Sequence, residues 1–180
     1  TGLYNERLAR EGRGHAVVGW GSKEDQQLRF SVLLRGFDPR GKRILDVGCG
    51  LGDLVAYLDT VYGEDYDYVG VDISEKLVED ARVVYGVPRR RFVVHDILEG
   101  DLEPADIVVL SGALSMRIDD NVAYAQTMLR RMFELSRDGA AVNFLSSYVD
   151  YEEPKNFHYS PEKLFTFGKS LTPWVTVHHD

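Results

Sequence analysis

Short apolar segments alternate with amphipathic segments along most of this 180-residue chain. The apolar segments have the length of buried β-strands, and the amphipathic segments repeat their apolar residues at helical spacing. Strands that alternate with helices in this way form a mostly parallel sheet with helices on both faces. The sequence therefore predicts an α/β fold with a doubly wound sheet. The predicted strands are residues 44–47, 68–71, 92–94, 107–110, 140–145 and 174–177.

Five helices are predicted before and between these strands. The first covers residues 23–35, because Ser22 and Asp25 have the spacing of a capping box. The second follows the glycine-rich turn after the first strand, and Ser74 caps the third. The fourth covers residues 120–136, and Ser160 followed by proline opens the fifth. The apolar residues that we expect on the inner faces of these helices include Leu28, Val84, Val122, Ala125, Leu129, Met132 and Phe133.

The length is that of one domain, in which residues 1–43 form an N-terminal arm with the first helix and residues 44–180 form the core. The net charge is −8, but residues 1–43 contain nine Lys and Arg against five Asp and Glu. Because only this short arm is basic, the chain has no continuous track for a phosphate backbone. We therefore expect no nucleic-acid partner, although the arm leaves room for a small anion.

Composition also bears on location. No apolar run approaches the roughly 18 residues of a membrane span, so we expect no insertion into a membrane. The chain has one cysteine and does not open on a charged-then-apolar leader, which favours a cytoplasmic location. The sequence predicts no metal ion and leaves the oligomeric state open.

A glycine-rich turn directly follows the first strand. Gly48, Gly50 and Gly52 permit positive φ angles and a close approach of the backbone to a ligand, although they can also serve strand-to-helix packing alone. A dinucleotide fingerprint would place glycine where the chain has Asp53, and the Lys-Ser/Thr pair of a phosphate-binding P-loop does not follow. Asp46, at the strand end, suits a ligand with a cation better than one with a pyrophosphate.

The next three strands also end in residues suited to a ligand. Asp72 follows Gly48 by 24 residues, and a carboxylate there can accept hydrogen bonds from both hydroxyls of a ribose, or simply cap a helix. Asp96 can accept from an exocyclic amine while the next backbone N–H bonds a ring nitrogen. Ser111 begins a run of small residues that leaves space. Together these strand ends indicate a pocket for an adenosine with a cationic, amino-acid-like tail.

At these positions the chain resembles the class I S-adenosylmethionine (SAM)-dependent methyltransferases. Residues 44–52, ILDVGCGLG, are similar to the first motif of that superfamily, and the resemblance covers residues 20–178. It implies a Rossmann-like fold, SAM as cofactor and direct methyl transfer to a small-molecule acceptor. Arg29 lies near the place where some members keep an arginine for the methionine carboxylate, but a solvated helix arginine fits equally. The implied cofactor-binding residues are Asp46, Gly48, Gly50, Gly52, Asp72, Ile73, Asp96, Ile97, Ser111 and Arg29.

Catalysis in such an enzyme rests largely on holding the acceptor in line with the methyl group, so a side-chain base is optional. The aromatic-rich loop at residues 146–159 is interpreted as a substrate-side loop, or else as a connection anchored to the core by its aromatics. His158, in this loop, is a weak candidate for a general base. His95 is expected to point away from the site and to be structural.

Two alternatives stay open. The first is a binding-only protein that keeps the nucleoside pocket without transfer, and the second is a nicotinamide oxidoreductase, which Asp46 and Asp53 disfavour. The resemblance also implies a seventh, antiparallel strand that pairs between the fifth and sixth, which a chain ending at Asp180 lacks. Without that strand the fifth strand has an open edge, so we expect a longer natural protein.

Overall fold

The structure is a computed structural model, and it describes residues 22–179. The first 21 residues of the predicted arm lie outside the described residues. Within the described part there are five helices and five strands. The helices are α1 (Lys23–Leu33), α2 (Asp53–Tyr62), α3 (Glu75–Tyr85), α4 (Asn121–Leu135) and α5 (Pro161–Leu171). The strands are β1 (Arg43–Val47), β2 (Asp67–Asp72), β3 (Arg90–Val94), β4 (Ala105–Leu110) and β5 (Ser136–Val142).

The five strands form one parallel sheet in the order β3-β2-β1-β4-β5. The chain runs outward from β1 through β2 to β3, and then returns to β4 on the other side of β1. This reversal of strand order creates a crevice outside the carboxyl ends of the strands, which is where open α/β sheets bind ligands. The predicted Rossmann-like α/β fold is confirmed, with a sheet that is not closed.

The core is divided between the two faces of the sheet. In β4, Ile107 and Val109 pack with residues of α1, α2 and α3, while Val108 and Leu110 pack with residues of α4 and α5. The alternation follows from the two-residue period of a strand, and both sets are apolar because helices cover both faces. The central strands are therefore held rigidly, and the residues at their carboxyl ends have fixed positions.

The inner faces of three helices differ from those that the sequence predicts. Leu28, Val84, Val122 and Phe133 are exposed, so their predicted inward orientation is wrong. In α4 the predicted inward orientation of Ala125 and Met132 is confirmed, but Asn121 and Met128 are buried where Val122 and Leu129 were expected. The buried residues of α4 are Asn121, Ala125, Met128, Met132 and Leu135.

Two predicted strands also require correction. The fifth strand begins at Ser136, directly after α4, rather than at residue 140. Its first residues are polar because they make surface ion pairs, such as the 2.7 Å contact between Lys42 Nζ and Asp138 Oδ2. The predicted sixth strand at residues 174–177 is wrong, since no described strand pairs with this segment and Trp174 is 86% exposed. None of the described helices is both long and apolar enough to cross a bilayer.

Candidate functional site

A cavity of about 350 Å³ lies at the carboxyl edge of the sheet. Its walls come from the segments that follow β1, β2, β3 and β4, together with α1 and the start of α4. A volume of this size is within the range of pockets that bind small molecules and cofactors. The predicted residues that line it are Asp46, Gly48, Gly50, Asp72, Ile73, Asp96, Ile97 and Ser111.

The turn after β1 forms one wall with its backbone. Gly48 and Gly50 line the cavity with φ angles of 69° and 54°, a region that favours glycine. A Cβ on Gly48 would lie 3.0 Å from the Cβ of Ala113, which lines the cavity on the side of β4. The backbone N–H groups of Gly48 and Cys49 both donate to the carbonyl oxygen of Val71, at 2.8 and 3.1 Å. The turn is therefore fixed close to β2, and its bare backbone leaves the space that a ligand needs.

Gly52 has a different task from the other two glycines. It has a φ angle of 80° and is not among the residues that line the cavity. A Cβ at this position would lie 2.9 Å from the ring of Phe92 and 3.0 Å from that of Tyr85. Gly52 therefore allows close packing beneath the turn, which is the alternative that the sequence leaves open for these glycines.

Asp72 is held in place by two backbone donors. Its Oδ2 accepts from the N–H of Gly50 at 3.0 Å, and its Oδ1 accepts from the N–H of Ser74 at 2.9 Å. Each carboxylate oxygen can accept more than one hydrogen bond, so both retain capacity toward the cavity. This arrangement presents two fixed acceptors side by side, which is what a vicinal diol requires.

Asp96 and its neighbours form the far end of the cavity. The Asp96 Oδ1 accepts from the N–H of Leu98 at 2.9 Å, which orients the carboxylate beside Ile97. Ile73 is 59% exposed and lines the same cavity. Tyr124 of α4 also lines it, and burial together with the nearby Asp96 raises the pKa of its hydroxyl. A flat heterocycle with an amine at its edge fits apolar side chains and a carboxylate in this arrangement.

Asp46 lies near the carboxyl end of β1, two strands away from β3, which precedes Asp96, and it is 4% exposed. Its Oδ2 accepts a 2.6 Å hydrogen bond from the hydroxyl of Tyr68. Burial raises the pKa of the Asp46 carboxyl to about 7; the hydrogen bond from Tyr68 opposes the rise, and the charges of Asp72 and Asp53 add to it. A cation in the cavity would stabilise the ionised form of this carboxyl, since it would compensate the lost hydration.

The segment after β4 is tied down by two asparagines that the sequence did not single out. Asn143 accepts from the N–H of Gly112 at 2.9 Å and donates to the Oγ of Ser111 at 3.0 Å. The buried Asn121 accepts from the N–H of Ile118 at 2.9 Å and donates to the carbonyl oxygen of Met116 at 2.7 Å. Asn143 lies far along the chain from Ser111 and Gly112 and meets them only through the fold, whereas the partners of Asn121 lie three and five positions before it.

The loop at residues 146–159 packs beside the cavity rather than into it. The hydroxyl of Tyr159 donates to the carbonyl oxygen of Leu114 at 3.0 Å, and the ring of Phe157 stacks edge-on against Tyr159. Arg117 donates to two carbonyl oxygens of this loop, at 2.8 and 3.0 Å. None of residues 146–159 lines the cavity, so these aromatics act as anchors of the segment after β4.

Three of the predicted site residues, Arg29, His158 and Gly52, do not line the cavity, whereas His95, which was expected to point away from the site, is among the lining residues. Arg29 is exposed on α1 and does not line the cavity, whereas Gln26, one turn earlier, does. His158 is largely buried in its loop, with Nδ1 3.7 Å from a carboxylate oxygen of Glu152, and it does not line the cavity. Gly52, described above, is the third. His95 is among the residues that line the cavity, and its backbone N–H donates to the carbonyl oxygen of Asp72 at 3.0 Å. Its predicted structural role, with the side chain pointing away from the site, stays a prediction.

The parallel sheet and the cavity at its carboxyl edge form a Rossmann-like methyltransferase fold. Sequence comparison gives the same result: the methyltransferase domain family matches residues 44–139, which is more than half of the chain. The chain belongs to this family.

A curated relative and two solved structures are similar to this chain. A probable cobalt-precorrin-6B C(15)-methyltransferase (decarboxylating) of Thermoplasma acidophilum is 23% identical over 124 residues, which cover 67% of this chain and 60% of the relative. The magnesium protoporphyrin IX methyltransferase of Synechocystis, solved with bound S-adenosylhomocysteine (SAH), has a TM-score of 0.66 at 16% identity, over 93% of this chain and 83% of that one. A TehB-like SAM-dependent methyltransferase of Corynebacterium glutamicum has a TM-score of 0.62 at 22% identity, over 95% and 84%. The likeness to these two solved structures shows the fold. The chain spans about three fifths of the length of the curated relative.

Proposed function

We propose that this protein binds SAM in the cavity at the carboxyl edge of the sheet and transfers its methyl group to a small-molecule acceptor. The observation that carries the proposal is the meeting of Asp46, Asp72 and Asp96 with the bare turn at Gly48 around one cavity. Each carboxylate comes from a different strand end. Parallel topology alone brings strand ends and helix N-termini to this edge, so the support comes from all three carboxylates lining the same cavity.

The proposed cofactor contacts follow from the chemistry of each wall. The Asp72 oxygens accept from the two ribose hydroxyls, because both are already oriented by backbone donors. Asp96 accepts from the adenine amine, and Ile73 and Ile97 provide apolar contact for the ring. Asp46 provides negative charge at the end where the amino-acid tail lies. Gly48 gives the backbone access that a side chain would block.

Methyl transfer needs little from the protein beyond orientation. SAM supplies a methyl group that its sulfonium has already activated. The residues after β4 then hold the acceptor in line and exclude water, an effect that reaches about 7–11 kcal/mol in favourable reactions. Ser111 and Gly112 are held for this purpose by Asn143. His158 is left without a part in this proposal, because it does not line the cavity.

A small-molecule acceptor is supported by the opening of the cavity. Gly112 and Ala113 leave space beside the proposed methyl position, and Met116 and Ile118 give the opening an apolar border. The names of the curated relative and of the Synechocystis enzyme also describe methyl transfer to small molecules. We include a cytoplasmic location in the proposal, because Cys49, the chain's single cysteine, is a buried free thiol.

The direct test is isothermal titration of the protein with SAH. We expect one site per chain, and no binding by folded protein would contradict the proposal. A methyl-transfer assay with radiolabelled SAM and fractionated metabolite extracts then tests turnover. Transfer into a small-molecule fraction supports the proposed acceptor class, whereas SAH binding without transfer to any fraction would favour a binding-only protein.

A further inference from the structure

A polar pair joins α1 to the start of α2 at the cavity end nearest Asp46. The Nε2 of Gln26 donates a 2.9 Å hydrogen bond to the Oδ2 of Asp53, and both residues line the cavity. Gln26 is only 6% exposed, so its amide is a buried polar group on a helix face that otherwise carries Phe30 and Leu33 into the core. Burying an amide is costly unless its hydrogen bonds are made.

The pair has unused capacity to accept hydrogen bonds. Among the described residues, none donates a hydrogen bond to the Oε1 of Gln26 or to the Oδ1 of Asp53, while one of the two N–H groups of the Gln26 amide is engaged by Asp53. Two free acceptor oxygens against one free N–H favour a donor as the group that completes the pair. It must also be compatible with the negative charge of Asp53, which lies close enough to Asp46 to raise the pKa of that carboxyl. An ammonium group meets both conditions, whereas a carboxylate would be repelled.

We propose that Gln26 and Asp53 together bind the α-ammonium group of the cofactor's amino-acid tail, and so select cofactors that carry this group. The inference rests on the proposed function and deepens it, since it assigns the tail end of the same site. Asp53 contributes the charge. Gln26 contributes a second acceptor, and its hydrogen bond holds the Asp53 carboxylate toward the cavity. Arg29 has no part in this contact, because it does not line the cavity.

Three probes and three variants test the assignment. The probes are SAH, an SAH analogue in which hydrogen replaces the α-amino group, and 5′-methylthioadenosine, which lacks the tail. The variants are Gln26→Leu, Asp53→Asn and the matched control Gln27→Leu, which makes the same change at the neighbouring exposed position. Titration calorimetry gives each Kd, and circular dichroism with thermal unfolding checks that each variant is folded.

We expect Gln26→Leu to weaken SAH binding about tenfold, as is typical of a lost hydrogen bond to a charged group. Binding of the desamino analogue and of methylthioadenosine should stay within about twofold of the unaltered protein. Asp53→Asn should show the same pattern, and Gln27→Leu should change none of the three constants.

Other results would overturn the assignment. Equal weakening of all three probes by Gln26→Leu would show that the pair only supports the fold of the turn. Unchanged SAH binding in both Gln26→Leu and Asp53→Asn would show that the ammonium lies elsewhere, with the proposed function intact. Failure of the unaltered, folded protein to bind SAH would overturn the proposed function and this inference together.

Discussion

Asp72 combines two tasks within one side chain, because its oxygens hold the turn after β1 and also face the cavity. We predict that Asp72→Ala weakens SAH binding by about 2 kcal/mol, since it removes a charged acceptor with two hydroxyl partners. Titration calorimetry measures the change. Asp67→Ala is the control, because Asp67 lies at the other end of the same strand and pairs with Arg89 at the surface. Equal binding by Asp72→Ala and the unaltered protein would mean that the ribose site is misplaced.

A substitution at Gly48 tests whether the bare backbone of the turn after β1 forms a wall of the ligand site. We expect Gly48→Val to abolish SAH binding, because a Cβ would lie 3.0 Å from Ala113 and would fill the path of approach. The φ angle of 69° adds strain, which a control must separate from the blocked path. Gly63→Val provides it, since Gly63 has a φ angle of 78° and a Cβ there would meet nothing within 4 Å. We expect Gly63→Val to lower the free energy of unfolding but to leave the affinity for SAH unchanged. If both variants lost affinity for SAH, backbone strain rather than a blocked path would explain the effect of Gly48→Val.

Asp46 makes the stability of the fold depend on pH. Its pKa is about 7 in the folded protein, against a usual value of 3.8. Between pH 3.8 and about 7 the folded state keeps a proton on Asp46 that the unfolded chain has released. The free energy of unfolding therefore falls as the pH rises toward and through about 7. We predict that Asp46→Asn, which keeps an acceptor for Tyr68, removes this dependence. The variant should therefore gain up to about 3 kcal/mol relative to the unaltered protein between pH 5 and 7.

Urea unfolding at several pH values between about 4 and 8 measures this difference. The same carboxyl should also link SAH binding to pH, because the ammonium of the ligand favours the ionised form. SAH binding should therefore strengthen between about pH 6 and 8 in the unaltered protein and lose that strengthening in Asp46→Asn. Parallel stability curves for the two proteins would contradict the assigned pKa.

Residues of local motifs were within reach of sequence reasoning, and residues placed by packing were not. Asp72 and Gly48 are marked by their distance from strand ends, and strand ends are marked by apolar runs. Gln26 is one polar residue on a helix, and only the packing of α1 against α2 brings it to the cavity.

At the scale of elements, α4 shows how one polar contact sets the orientation of a helix. Asn121 occupies the inner face because its amide satisfies two backbone groups of the segment at residues 116–118. Counting apolar residues alone favours Val122 and Phe133, which are more hydrophobic than Asn121 but lie exposed. The sequence pattern therefore predicts α4 and the burial of Ala125 and Met132, but it misses the inward orientation of Asn121.

This contact predicts a stability effect. Asn121→Ala should lower the free energy of unfolding by about 1–3 kcal/mol, because it leaves the backbone groups of Met116 and Ile118 without their partner. Thr127→Ala on the exposed face of the same helix should change it by no more than about 0.5 kcal/mol. Urea denaturation of the three proteins tests the difference. Both substitutions raise helix propensity, so a loss of similar size in both variants would show that the buried amide of Asn121 is not responsible.

The strands after α4 show what sequence reasoning lacks at the edge of a sheet. The polar start of β5 forms surface ion pairs and therefore carries no apolar signal. The segment at residues 174–177 has a strand-like composition, but it finds no pairing partner among the described residues. Strand formation at an edge depends on a neighbour, and local composition does not contain that information.

At the scale of the molecule, the reversal of strand order beside β1 is what gathers distant residues into one site. Asp46 and Asp96 are separated by 50 positions in the chain, yet both lie at the carboxyl edge of one parallel sheet. The central strands are buried on both faces, so the site has a rigid base. A ligand that bridges several strand ends binds the folded state alone and should stabilise the whole sheet.

Ligand-linked stabilisation is therefore the test at this scale. At a concentration about 100 times its Kd, SAH should add about 2.7 kcal/mol to the free energy of unfolding. For a chain of this length that corresponds to a rise of about 5–10 °C in Tm, measurable by calorimetry. NADH at the same concentration is the matched control, because a nicotinamide enzyme would respond to it instead. A rise in Tm with NADH and none with SAH would show that the cavity is a dinucleotide site. If SAH stabilises the protein by binding in this cavity, Asp72→Ala should greatly reduce the rise in Tm that SAH causes.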